Sequence, residues 1–270
     1  MPDFSFPLMC PVCGGELRGE GKSCLCEGGH CFDIARQGYV NLLTGSRSGD
    51  AMGDSAEMSA RREAFLSKGY FSPLADRLKE LITADSPVIL DVCCGEGYYS
   101  RRLAEIPGSR VLAFDLSKSM IRRAAKGGGA VTFFVANMSA IPVRSGSVDA
   151  ALILFAPFAG KEAARVMRDD GVLLTVVPGR RHLFEMKEIL YSEPYENDEK
   201  LPESDGLTLA GKESLTYAME LKKDDIADIF AMTPYYYHSP EEGRKRLSET
   251  ESLTVTADFV IAKYRKTAAQ

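Results

Sequence analysis

The sequence predicts an α/β protein: a doubly wound, Rossmann-like sheet preceded by a small metal-binding unit. Three observations carry this. Five of the seven cysteines, Cys10, Cys13, Cys24, Cys26 and Cys31, fall within the first 31 residues. From Pro87 onward, short apolar runs alternate with amphipathic stretches, as repeated βαβ units require. One of those runs leads into a glycine turn, Gly95-Glu96-Gly97, that opens a helix.

Composition sets the bounds. A chain of 270 residues suits one enzyme-sized domain with a small appendage. Hydrophobic residues at 45% and charged residues at 26% are ordinary globular values, which excludes wholesale disorder. No apolar run approaches the roughly 20 residues of a membrane span. The N-terminus also lacks a basic region followed by an apolar core, so the chain is expected to be soluble, unexported and cytoplasmic. A net charge of −5 excludes a protein that coats nucleic acid by charge alone, but not a local basic site. A disulfide framework would spread its cysteines further along the chain.

In order, residues 1–45 form the cysteine-rich unit, 46–86 a linker and helical segment, and 87–270 the main domain. Residues 44–54 are small and polar, as in a linker. Ser55 is a plausible N-cap for a helix over 55–66, and Pro73-Leu74 opens a second helix. Strands are expected at 88–92, 111–114, 131–135, 148–155 and 172–177. Their near-continuous apolar character suits a parallel sheet buried on both faces. Helices at 98–105, 118–126 and 161–168 lie between them. After Gly179 the pattern changes to a helix at 183–191, an acidic loop at 192–206, a strand at 214–221, a helix at 224–231 and a long final strand at 253–263.

Cys10-Pro11-Val12-Cys13 is followed by twelve residues, then Cys26, then three more and His30. A C-x₂-C knuckle holds two thiolates on one turn, and Cys26 with His30 closes a tetrahedral Cys₃His zinc site. Cys24 and Cys31 leave the ligand choice open. So short a segment buries little core, and zinc supplies roughly 10–16 kcal/mol of apparent folding free energy in such units.

Residues 88–98 read as a strand, a glycine turn and a helix start, where backbone N–H groups approach a ligand closely. Two features favour S-adenosylmethionine over a dinucleotide. Asp91 ends the strand, within reach of a methionine ammonium, and position 100 is Ser where pyrophosphate binders often use glycine. Gly95 and Gly97 form the turn. Asp115 ends the next strand, the place for an acid that holds ribose hydroxyls. Asn137-Met138 follows the third strand, where an amide and a flat apolar side chain could receive adenine.

The combined pattern resembles the 23S ribosomal RNA guanine-N1-methyltransferases, a family with a zinc finger and a SAM-dependent methyltransferase domain. The resemblance covers essentially the whole chain. It includes the Cys10/Cys13/Cys26/His30 spacing, the stretch from Phe32 to Leu43, Gly53-Asp54-Ser55-Ala56-Glu57-Met58 and Arg61-Arg62. It continues through Asp91-Val92-Cys93-Cys94-Gly95-Glu96-Gly97, Pro178-Gly179-Arg180-Arg181-His182 and Met232-Thr233-Pro234-Tyr235. It implies that Gly95, Glu96 and His182 lie at the cofactor site. The family tends to place a tyrosine in the aromatic pair after Phe65-Leu66. Here the pair is Tyr70-Phe71, which implies that Phe71 keeps the packing and loses a hydrogen bond. Cys93 stands where a small residue is usual and is read as a tolerated side chain, not a nucleophile.

The implied reaction is methyl transfer to N1 of a guanine in a 23S rRNA hairpin loop. That nitrogen carries a proton at neutral pH, so a base is needed. Asp54, Glu57, Glu185 and His182 are candidates, and the sequence does not choose among them. Tyr98, Tyr99, Phe155, Phe158 and the Tyr235-Tyr236-Tyr237 run offer stacking surfaces for a splayed-out base. The alternatives are a methyltransferase acting on a small molecule or protein, and a non-enzymatic zinc-finger RNA-binding protein. The expected partner is 23S rRNA and no membrane. Oligomeric state stays open, a homodimer being one possibility.

Overall fold

The computed structural model describes residue 4, residues 7–44 and residues 56–267. Three short strands, β1 (Arg18–Glu20), β2 (Ser23–Leu25) and β3 (Cys31–Asp33), form an antiparallel ribbon in the N-terminal unit. Strands of three residues carry too little alternation to be read from sequence. A fourth strand, β4 (Val40–Asn41), leaves the ribbon and joins the edge of the main sheet, with Val40 opposite Phe134 and Asn41 opposite Val135. Leu8 also bridges to Val143, and the Met9 N–H donates to the Pro142 carbonyl at 2.9 Å. The segments on either side of the expected boundary at residue 45 therefore share a sheet.

Two helices follow, α1 (Ala56–Ser67) and α2 (Ser72–Glu80). The winding part of the sheet is then β5 (Val88–Val92), α3 (Tyr98–Leu103), β6 (Arg110–Asp115), α4 (Lys118–Lys126), β7 (Val131–Val135), β8 (Val148–Leu154), α5 (Gly160–Val166) and β9 (Met167–Pro178). The chain closes with α6 (Phe184–Leu190), β10 (Leu207–Lys222), α7 (Lys223–Ala231), α8 (Tyr235–His238), α9 (Glu241–Ser248) and β11 (Ser252–Lys266). The strand order is β10-β11-β9-β8-β5-β6-β7-β4. β4 to β9 pair in parallel, and β11 and β10 add antiparallel strands at the far side. β6 and β7 lie on one side of β5, β8 and β9 on the other. The winding reverses at β5, and such a switch point leaves a crevice at the strands' C-terminal ends.

Both faces of the sheet are buried. Val111 and Ala113 of β6 enter one apolar cluster, with Phe65 and Leu74 from α1 and α2. Leu112 and Phe114 enter the other, which also holds Leu8, Leu17 and Cys24 of the ribbon unit. This alternation is why the strands read as continuous apolar runs.

The helix expected to reach Arg168 stops at Val166, because Met167 is already extended and pairs with Val148. The strands expected at 214–221 and 253–263 are longer. Their ladder runs from Leu207 opposite Lys266 to Lys222 opposite Ser252, with one irregularity between Leu209 and Gly211. The outer half of β10 is mostly exposed, so cross-strand pairing fixes its length where hydrophobic alternation gives no signal. α8 and α9 had no counterpart in the sequence reading. Ser55 and residues 45–54 of the expected linker, Asp54 among them, lie outside the described residues.

Candidate functional site

The ribbon unit gathers Cys10, Cys13, Cys26 and His30, whose ligand atoms all lie within 4.8 Å of one another. Cys13 Sγ is 3.6 Å from Cys26 Sγ, which is 3.4 Å from His30 Nδ1. A tetrahedral zinc with Zn–S bonds of about 2.3 Å needs sulfur atoms about 3.8 Å apart, so the donors already stand at the required spacing. Two tight turns hold them there: the Gly14 N–H donates to the Cys10 carbonyl at 2.9 Å, and the Gly29 N–H to the Cys26 carbonyl at 3.0 Å. A Cβ on Gly28 would stand 3.2 Å from Cys13 Sγ, 3.5 Å from His30 Nδ1 and 3.6 Å from Cys26 Sγ, crowding the donors. Cys24 and Cys31 stay outside the group. Cys24 is buried opposite Phe32, and burial, with Cys31 nearby, pushes its thiol up to about 11.

A cavity of about 400 Å³ opens at the C-terminal ends of β5, β8 and β9. Phe71, Asp91, Gly95, Glu96 and His182 all line it. So do Cys93, Phe155 and Leu183, three of the four non-glycine residues with positive φ among the described residues, at +60°, +53° and +55°. Left-handed backbone costs an L-residue roughly 1–2 kcal/mol, so this rim holds strain. Gly97 caps α3 at φ +78°, and a Cβ there would sit 2.9 Å from the Phe133 ring. Only glycine suits that position.

Asp91 is buried and accepts the Ser100 hydroxyl at 2.6 Å. Burial above all, with the Glu96 and Asp115 carboxylates adding to it, pushes Asp91 up to about 7 against that hydrogen bond. Burial likewise raises Glu96, opposed by Arg62 and Arg101. Such a pair of acids favours a cationic ligand. Tyr99 also lines the cavity, and its hydroxyl is buried with no hydrogen-bond partner among the described residues. Acids suited to an ammonium and an orphaned hydroxyl fit S-adenosylmethionine. His182 packs against Phe259 at 4.8 Å between ring centroids, and burial holds it down to about 4, hence neutral. Phe71 meets the Phe259 ring edge-on at 5.2 Å. The neighbouring Tyr70 hydroxyl points instead to Asp225, at 2.8 Å.

A family model described as a methyltransferase domain matches residues 89–171, and a zinc-ribbon model described as RlmA, N-terminal, matches residues 8–45. A Streptomyces fradiae protein named 23S rRNA (guanine(748)-N(1))-methyltransferase is 32% identical over 95% of this chain and 96% of its own. The chain belongs to the 23S rRNA guanine-N1-methyltransferase family. YxjB of Bacillus subtilis strain 168, provisionally named in the same class, is 31% identical over 96% of each chain. The solved YcgJ protein of Bacillus subtilis aligns with 72% of this chain and 98% of its own, at 13% identity and a TM-score of 0.48.

For this family member the remaining expected site residues divide. Asp115, Asn137 and Met138 sit at the ends of β6 and β7, beside the cavity wall and not in it. Asp115 braces the glycine turn, accepting the Gly95 N–H at 3.1 Å and the Ser117 N–H at 2.8 Å. Asn137 accepts the Ser139 N–H and hydroxyl, each at 2.9 Å. The Met138 sulfur lies 3.8 Å from Cys93 Sγ. Burial first, then Asp115 and Asp91, pushes the Cys93 thiol up to about 12, which disfavours the thiolate.

Two candidate bases are engaged elsewhere. Glu57 is exposed and pairs with Arg61 at 3.2 Å, one helical turn away. Glu185 accepts both the Thr256 N–H and its hydroxyl, each at 2.8 Å, which ties α6 to β11. Neither lines the cavity. His182 Nδ1 accepts the Asp258 N–H at 3.2 Å, so the neutral ring carries its proton on Nε2 and acts as a donor. Sequence reasoning missed the cavity roles of Arg62, Pro178 and Ile229. In the sequence Arg62 stands out only as half of the Arg61-Arg62 pair that the resemblance includes, and apolar wall residues bear no mark that separates them from core.

Proposed function

We propose that this chain transfers a methyl group from S-adenosylmethionine to N1 of a guanine in a hairpin loop of 23S rRNA. The observation that carries the reading is near-full-length similarity to the Streptomyces fradiae enzyme, spanning ribbon and cavity alike. S-adenosylmethionine, when bound, supplies a methyl group on a positively charged sulfur. Asp91 and Glu96 would hold its cationic end, the buried Tyr99 hydroxyl would find a partner there, and Asp115 keeps the glycine turn in place. Leu154, Pro178 and Ile229 make the wall that excludes water, so alignment is the protein's main contribution. The base that takes the N1 proton stays open among Asp54, which lies outside the described residues, Glu57 and Glu185.

The ribbon unit is the proposed RNA-recognition element. Its acidic side chains outnumber its lysines and arginines, so it reads shape or bases instead of attracting phosphate. An rRNA substrate places the enzyme in the cytoplasm. The test is incubation of the protein and labelled S-adenosylmethionine with unmodified 23S rRNA, with the product mapped by mass spectrometry. Label on guanine N1 is expected. Label on another base, or none on RNA, overturns the assignment.

A further inference from the structure

Phe155 is anomalous in two independent ways. It is an aromatic residue held at φ +53°, where an L-residue stays only if its surroundings fix it. It is also 45% exposed, and of the large exposed hydrophobic residues described it alone lines the cavity. The other exposed rings among the described residues, Tyr195, Tyr236 and Tyr237, do not line it: Tyr195 packs near Tyr191, Tyr236 on Phe230, and Tyr236 and Tyr237 on each other.

The fixation is visible. Phe155 follows the last residue of β8, and its N–H donates to the Val176 carbonyl of β9 at 3.3 Å. Its ring meets Phe259 at 5.7 Å and 62°. Phe259 is fully buried and touches both Phe71 and His182. One side of the Phe155 ring is thus anchored in a rigid aromatic group, while the exposed remainder stands at the cavity. A core role would hide the ring, and a chance surface position would not hold it in strained backbone.

We infer that Phe155 is the stacking platform for the target guanine. This rests on the rRNA methyltransferase reading and adds to it the residue that orients the accepting base. Guanine N1 lies in the plane of its ring, so that plane must be fixed for N1 to face the methyl group. A flat apolar ring fixes a plane without competing for the hydrogen-bonding edge. Stacking accepts any base, so Phe155 sets the orientation of the guanine and leaves its choice to other groups.

The chain contains no tryptophan, so Phe155→Trp introduces a single indole reporter. In the full chain with S-adenosylhomocysteine bound, its emission is expected to be quenched on adding the unmodified 23S rRNA hairpin. Phe158→Trp, at a ring that packs on Tyr264, serves as control and is expected to stay unquenched. Phe155→Leu is expected to lower methylation efficiency on that RNA about 5- to 150-fold, the range for loss of one base–aromatic stack. S-adenosylmethionine affinity and circular dichroism should stay as in the wild type, and Phe155→Tyr should recover most of the loss. Wild-type methylation by Phe155→Leu, or an indole indifferent to RNA that the wild type methylates, overturns the inference alone. A wild-type protein that methylates no 23S rRNA guanine overturns the underlying reading, and this inference with it.

Discussion

Asp258 sets the chemical character of His182 through its main chain. Its N–H donates to His182 Nδ1 at 3.2 Å. Its carboxylate accepts the Arg181 N–H at 3.0 Å and the Thr216 hydroxyl at 2.9 Å, and a Cβ on Gly179 would fall 2.4 Å from that carboxylate. One buried residue therefore shapes the whole turn from 179 to 182. The imidazole it presents to the cavity is a neutral donor.

That arrangement has a measurable pH dependence. His182 is held at about 4 against an ordinary 6.5, chiefly by burial. As pH falls, the unfolded chain takes up the proton first. The contribution to stability is therefore full above about 6.5 and is lost between 6.5 and 4. In urea unfolding, His182→Gln should lose less stability than the wild type from pH 7 to pH 4.5, by about 2–3 kcal/mol. Parallel losses in the two proteins would contradict this.

Asp91 should make cofactor binding pH-dependent over an overlapping range. Burial first, then Glu96 and Asp115, raises it to about 7, so a cationic ligand gains its partner only as the carboxyl ionises. Calorimetry should show S-adenosylmethionine affinity rising with pH up to about 7, by at most about tenfold per unit, then levelling. Asp91→Asn should bind more weakly with a flatter profile.

Asn197 joins three segments. Its carbonyl oxygen accepts from Lys187 Nζ at 2.7 Å and from the Tyr235 hydroxyl at 3.1 Å, while its amide donates to the carbonyls of Gly179 and His182. Lys187 is fully buried, and its second hydrogen bond goes to the Tyr195 carbonyl. Asn197→Ala leaves a buried ammonium with one fewer acceptor and should cost about 1–3 kcal/mol in thermal or urea unfolding. Because Tyr235 and His182 both line the cavity, S-adenosylmethionine affinity should fall in the same variant.

Metal content distinguishes the cysteines. Cys10→Ser and His30→Ala should lose tightly held zinc on elemental analysis, whereas Cys24→Ser and Cys31→Ser should keep one equivalent. Retention by the first pair would place Cys24 or Cys31 among the ligands.

Much of this was legible in the sequence because it obeys short periods. β5 and β7 were read to the residue, since continuous apolar runs bounded by turns mark buried parallel strands. The cysteine spacing and the acid-plus-glycine turn also stood out, because their chemistry fixes both residue type and spacing, while Cys24 and Cys31 left the choice of zinc donors open. The cavity's other wall was not. Ile229 and Leu154 look like core until the fold brings them together, and the exposed part of β10 follows its partner strand. Glu185 illustrates the converse error: a carboxylate close in sequence to the site was drawn into fastening α6 to Thr256. Proximity along the chain does not reveal which way a side chain is bonded.

The main sheet ends in two unlike borders. On one side β10 stands open but carries Lys212, Lys222 and an irregular ladder, features that discourage a stranger from docking. On the other, β7 is five buried residues long, and what covers its border is the two-residue β4, the continuation of a ribbon folded around its metal. Chelation should therefore do more than dismantle the proposed recognition element. It would unlatch that cover and bare an apolar template for chain-to-chain growth. Loss of metal should therefore register first as aggregation.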